Sequence, residues 1–183
     1  MHKVAVIVGS IRKDSRNKKL AKALAKLAEG KLDLQLVRID DLPLFNQDDA
    51  DNPPPPVLRF KSEVEACDAV LFVTPEHNRA VPAAMKNAFD WGTRPHGRNS
   101  WRGKTAAITG TSGGRISTAV AQQNMRTIAS GHFTALLGNP EAYLQFQEGL
   151  FADDDGITND DTRKFLQTFI DNFARLVDAM AGR

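Results

Sequence analysis

Ser10, Arg12, Ser15 and Asn17 lie within eight positions, directly after a run of apolar residues, Val4–Val8. Hydroxyls, an amide and a guanidinium at that spacing can hold an anion, most often a phosphate where a helix begins. A helix does begin here. Leu20, Leu24 and Leu27, with Ala21, Ala23 and Ala28, form a stripe of helical period. Its first turn carries Arg16, Lys18 and Lys19, although the positive end of the helix dipole favours acidic side chains. Cations gathered at a positive helix end suit a bound anion. The plainer reading is a capped helix with a solvated basic face.

A second constellation is Thr74–Arg79, TPEHNR, after the apolar run AVLFV. Pro75 makes the chain leave its strand. Glu76 and Asn78 offer polar groups and His77 a flat ring, beside which a flat heterocycle could be held by backbone groups and by Asn78. Glu76 also reads as a helix-capping carboxylate and His77 as a surface histidine; one histidine is a weak signal for acid–base catalysis. A third loop, Gly110–Arg115, is built from Gly, Ser and Thr.

Two nucleotide fingerprints are missing. The first loop has no GxxxxGK[ST], which argues against a P-loop NTPase. It has no GxGxxG either, which argues against a conventional dinucleotide site. What remains is a single phosphate held by hydroxyls, amides and Arg12, whose guanidinium can pair bidentately with phosphate oxygens.

The elements that position these loops follow from hydrophobic periodicity. Val4–Val8 and Ala69–Thr74 read as strands buried on both faces. Leu32, Leu34 and Leu36 alternate, which predicts a half-exposed strand near a sheet edge. Lys104–Thr109 and Gly131–Leu137 complete five strands. Helices are predicted near 16–28, 57–66, 83–91, 117–129 and 158–180. The last has Phe165, Phe169, Ile170, Phe173, Leu176 and Val177 on its inner face. Asp40–Pro56, ending in a run of four prolines, reads as a surface connection, and Asp153–Gly156 as a turn rather than a calcium loop. Alternating strands and helices predict an α/β fold with a parallel sheet and helices on both faces. In the strand order 2-1-3-4-5 the switch point falls between strands one and three, so the first and second loops face one crevice.

The 183 residues fit one domain, 1–183, with a substantial core. A net charge of +2 does not argue for nucleic acid. The single cysteine, Cys67, reads as a core residue; it excludes an internal disulfide and suits a reducing cytoplasm. No apolar run is long enough for a membrane span, and the N-terminus reads as a strand rather than a signal peptide. Phe89 and Trp91 read as core or subunit contacts, and Trp101 as a residue at an interface or rim.

Taken together, GSIRKDSRN, TPEHNRAVPAAMKNAFDW and GTSGGRIS resemble the NADPH-dependent FMN reductase family, in particular its bacterial chromate, quinone and azo-dye reductases. The resemblance runs from Val4 to the terminal helix. It implies a flavodoxin-like three-layer sandwich that binds FMN and assembles as a homodimer or homotetramer. By position, Ser10, Arg12, Ser15 and Asn17 would hold the FMN phosphate. Pro75, Glu76, His77 and Asn78 would lie along the isoalloxazine. Thr111, Ser112, Gly113 and Gly114 would form the third wall. His77 departs from the usual tyrosine, which bears on the flavin potential and its pH dependence. Arg79 and Arg115 read equally as contacts to the 2′-phosphate of NADPH or as solvent-facing or subunit-bridging arginines. The implied activity passes a hydride from NADPH or NADH to FMN and then reduces quinones, azo dyes or chromate, without a metal. The alternatives are an FMN reductase that releases reduced flavin to a partner and a non-catalytic electron carrier.

Overall fold

The computed structural model describes residues 1–181. The chain runs β1 (His2–Val8), α1 (Arg16–Leu27), β2 (Leu32–Val37), a 3₁₀ turn at Gln47–Asp49, α2 (Pro55–Glu65) and β3 (Ala69–Val73). It continues with α3 (Ala83–Gly92), β4 (Thr105–Ser112), α4 (Ala119–Ala129), β5 (Ala135–Leu136), β6 (Ala142–Gln145) and α5 (Asp160–Met180). The sheet has the order β2-β1-β3-β4-β5, and β6 also pairs with β4. All these pairings are parallel. The expected flavodoxin-like order is therefore present.

Side chains alternate between the faces of a strand, and the two halves of the core follow that period. Val4, Val6, Val8, Leu71 and Val73 pack against Leu20 and Leu24 of α1 and Phe169, Ile170 and Phe173 of α5. Ala5, Ile7, Val70, Phe72 and Ile108 pack against Phe60 of α2, Met85 and Phe89 of α3 and Met125 of α4. The strands are covered on both faces, which is why β1 and β3 read as continuous apolar runs. Among the described residues, no helix is long and apolar enough to cross a membrane.

Three local expectations are corrected. The fifth strand is not one segment over 131–137. Only Ala135–Leu136 pairs there, against Thr105 and Ala106; Ala142–Gln145 continues along β4 beyond a break containing Pro140. A proline has no N–H for a ladder. Trp101 is not at a rim. It is fully buried, its indole N–H donates to the Phe89 carbonyl at 3.1 Å, and its ring stacks on Phe89 at 5.3 Å. Phe89 and Trp91 are likewise core. On α5, Phe165 is exposed, and Leu166 takes its place in the core.

The buried Trp101 depends on an ion inside the protein. Lys61 of α2 is buried, and its Nζ donates to the Arg98 carbonyl at 2.9 Å and to Ser100 Oγ. Ser100 Oγ donates to Glu65 Oε1 at 2.7 Å. Burial pulls the Lys61 ammonium below the usual lysine range. The same desolvation pushes the Cys67 thiol up, so this cysteine is an inert core residue.

β1 and β3 end level, with Val8 paired to Val73, whereas β4 runs on past Thr109, the partner of Val73, to Ser112. Gly110 lets β4 pass the backbone of Thr74. A Cβ there would lie 2.0 Å from the Thr74 carbonyl oxygen and 2.7 Å from Thr118 Oγ1. Gly110→Ala is expected to cost at least ~3 kcal/mol in denaturant titration, at the upper end of overpacking penalties because backbone must move. Gly131→Ala, where nothing lies within 4 Å, serves as the near-neutral control.

Candidate active site

Three loops leave the strand ends on one side of the sheet: 9–15 after β1, 74–82 after β3 and 113–118 after β4. They touch one another. A Cβ on Gly9 would meet Pro75 Cδ at 3.2 Å and Met85 Cε at 3.1 Å, so the first loop runs closely over the second.

Ser15 is the N-cap of α1, as its residue type favours. Its hydroxyl accepts the Lys18 N–H at 3.2 Å. The N–H groups of Arg16 and Asn17 belong to the unpaired donors every helix start leaves. The Asn17 side chain is buried and is used in full on the third loop's strand. Its Nδ2 donates to the Thr111 carbonyl at 2.9 Å, and its Oδ1 accepts the Thr111 N–H at 3.0 Å. This amide clasps the start of α1 to the end of β4.

Electrostatics separates the two ends of α1. Lys22 and Lys26, further along the helix, pair with Asp155 and Asp154. Among the described residues, no carboxylate lies within ion-pair distance of Arg12, Lys13, Arg16, Lys18 or Lys19. Uncompensated positive charge is thus confined to the loop and first turn. The Thr111 hydroxyl, beside the Asn17 clasp, is buried with no hydrogen-bond partner. Free N–H groups, unpaired cations and an orphan hydroxyl at one place fit the phosphate end of FMN.

The second loop is a tight hairpin. The His77 N–H donates to the Ala80 carbonyl at 3.1 Å, and the Ala80 N–H returns the bond at 3.0 Å. Between them Asn78 and Arg79 have φ of 51° and 62°, the pattern of a type I′ turn. Asparagine accepts this conformation; for arginine it is uncommon. Glu76 is a helix-capping carboxylate, but the helix is α4. Its Oε2 accepts the Val120 and Ala121 N–H groups, each at 3.0 Å, and its Oε1 meets Arg79 Nη1 at 3.1 Å. Arg79 therefore turns back onto its own loop. His77, Asn78, Arg12 and Arg115 are exposed, and Ser10 and Pro75 are half-buried.

In the third loop, Ser112 Oγ donates to the Ser117 carbonyl at 2.9 Å and accepts the Gly114 N–H at 3.3 Å. Ser117 Oγ donates to the Leu144 carbonyl at 2.7 Å, which ties the loop to β6. Gly113 and Gly114 are exposed.

Residues 2–149 match the NADPH-dependent FMN reductase family. The chain belongs to that family. It is 47% identical over 178 residues to a quinone reductase of Pseudomonas putida, covering 97% of this chain and 95% of the relative. It is 44% identical over 175 residues to a 2-hydroxy-1,4-benzoquinone reductase of a Burkholderia species, covering 96% of each. Among solved structures it is similar to FerB, a flavoenzyme NAD(P)H:(acceptor) oxidoreductase from Paracoccus denitrificans, with a TM-score of 0.94, 47% identity and 98% of both chains covered.

One pair was not legible beforehand. The Arg16 guanidinium lies 4.2 Å from the centroid of the Phe146 ring, and its Nη1 stands 3.2 Å from where a Cβ on Gly113 would be. This cation–π contact holds an unpaired guanidinium between the first and third loops. Arg16 stood out only as part of a basic turn, and Phe146 belonged to no predicted element.

Asn17→Ala is expected to destabilise the protein by on the order of 3 kcal/mol, because it strands a buried N–H and a buried carbonyl of Thr111. Urea unfolding measures this. A loss below 1 kcal/mol would mean that the clasp is not structural.

Proposed function

We propose that this member of the family is an FMN-dependent NAD(P)H oxidoreductase that reduces quinones, with azo dyes and chromate as further acceptors of the same chemistry. The observation that carries the reading is the cluster of unpaired cations at the start of α1, placed where loops from β1, β3 and β4 meet. The names of the quinone-reducing relatives support the acceptor class.

Bound flavin supplies the redox chemistry, taking a hydride from NAD(P)H and delivering electrons to the acceptor. The protein holds and orients. Ser10, Arg12, Ser15 and the α1 N–H groups hold the phosphate, and Asn17 positions that loop through Thr111. Pro75, His77 and Asn78 line the ring side, with Thr111, Ser112, Gly113 and Gly114 as the opposite wall. Among the described residues no carboxylate lies within ion-pair distance of Arg115, which leaves it available to the anionic dinucleotide. Arg79 is paired with the buried Glu76 carboxylate, which holds it to its own loop. Donor and acceptor would take turns at the flavin. A homodimer or homotetramer completes the reading, supported by exposed apolar residues near the crevice, Ile11 and Ile116.

Titrating the purified chain with FMN, then measuring NADPH and NADH oxidation against benzoquinone, tests this proposal. Parallel double-reciprocal lines are expected. FMN binding without turnover on any quinone would leave an electron carrier instead. A relative from Pseudomonas aeruginosa, 35% identical over 90% of this chain, is named an NAD(P)H-dependent FMN reductase. Flavin lost on gel filtration but reduced when added in excess would favour that second reading. Arg12→Ala is expected to weaken FMN binding by about 1.5–3 kcal/mol through loss of a charge-assisted contact. Its folding stability should stay within about 0.5 kcal/mol, because the side chain is exposed and makes no ion pair.

A further inference from the structure

Helix α4 starts without a cap of its own. Thr118 occupies the N-cap position but makes no capping hydrogen bond, and the first turn has no acidic residue. The Thr118 hydroxyl instead accepts Gln122 Nε2 at 2.9 Å. Val120 and Ala121 carry two of the donors that a helix start leaves unpaired. Both are satisfied by one oxygen of Glu76, 44 and 45 residues earlier in the chain.

The Glu76 side chain is only 7% exposed, although the loop residues after it, His77 to Ala80, are exposed. Its two oxygens divide the work. One holds α4. The other holds Arg79, which sits at positive φ inside the His77–Ala80 hairpin. A strained exposed turn persists only where its surroundings over-determine it, and the Glu76 carboxylate supplies that constraint from beneath. Facing a substrate as an acid or base would require Glu76 to abandon both α4 donors in a buried place.

We propose that Glu76 is a positioning residue: its carboxylate docks the β3–α3 loop onto the start of α4 and so holds Pro75–Ala80 in the form that receives the flavin ring. This rests on the functional reading above. It differs from contact with the isoalloxazine, because Glu76 acts through the loop and not on the cofactor.

Three variants separate docking from capping: Glu76→Gln, Glu76→Ala, and Glu76→Ala combined with Ala119→Glu. The double variant returns a carboxylate to the first turn of α4 from within the helix, where it interacts favourably with the dipole but holds no loop. The measurements are FMN dissociation constants by fluorescence quenching, thermal midpoints without flavin, and hydrogen exchange of the Val120 and Ala121 amides. Glu76→Gln retains an oxygen acceptor and should bind FMN within threefold of wild type. Glu76→Ala should exchange both amides at least tenfold faster and bind FMN at least tenfold more weakly. The double variant should recover the midpoint but not the affinity. Wild-type affinity in Glu76→Ala, or recovery of both properties in the double variant, would overturn the proposal. If the wild-type chain bound no FMN, the functional reading would fail, and the exchange data alone would decide the docking: unchanged rates in Glu76→Ala would end it.

Discussion

The two-way hydrogen bond between the Asn17 side chain and the Thr111 backbone is the constraint on which the site depends. It joins residues 94 positions apart and crosses from the first helix to the tip of the fourth strand. A carboxamide is the group suited to it, since it offers one donor and one acceptor in a plane. Because Thr111 also belongs to the β4–β6 ladder, the start of α1 inherits the rigidity of the sheet. The β1–α1 loop is thereby registered against the glycine-rich loop, although neither contacts the other through regular secondary structure.

That rigidity permits an arrangement which would otherwise disfavour folding. Arg12, Lys13, Arg16, Lys18 and Lys19 crowd the positive end of a helix dipole with no carboxylate within ion-pair distance among the described residues. The dipole disfavours the cluster. It is retained because α1 is fastened elsewhere, by Leu20 and Leu24 in the core and by the Asn17 clasp. A ligand that binds only the folded state adds to stability by mass action, and a dianionic phosphate adds most where repulsion is greatest. The unpaired charge is therefore a signature of what the site was built to hold.

The sheet and its order were legible because burial on both faces leaves uninterrupted apolar runs at Val4–Val8 and Ala69–Val73. The alternation at Leu32–Leu36 marked the edge. The loops were legible because polar residues followed strand ends. What stayed hidden depended on single side chains outside any period. Trp101 sits between Ser100 and Arg102, and nothing in those neighbours reveals that Lys61, on another helix, folds the segment inward. The β5–β6 break hid Tyr143 and Leu144 within a stretch that lacked strand length. Phe165 and Leu166 are adjacent apolar residues on α5, and a helical stripe cannot decide between them when both are large. Glu76 could be recognised as a capping residue, but the helix it caps is set by tertiary packing, 44 residues downstream.

The charge pattern of α1 closes a circuit through the molecule. Lys22 and Lys26 reach Asp155 and Asp154 in the loop that follows β6. Each exposed pair contributes little by itself. Together they keep that loop along the helix, where Phe151 lies 6.3 Å from Phe146. Phe146 in turn carries the Arg16 guanidinium at 4.2 Å. The paired half of the helix thus organises the aromatic seat that orients a cation of the unpaired half. Acidic residues in 153–155 are close enough to anchor the far end of α1, yet pair with none of the cations at its start. Asp154 and Asp155 are engaged one or two helical turns away, on Lys26 and Lys22.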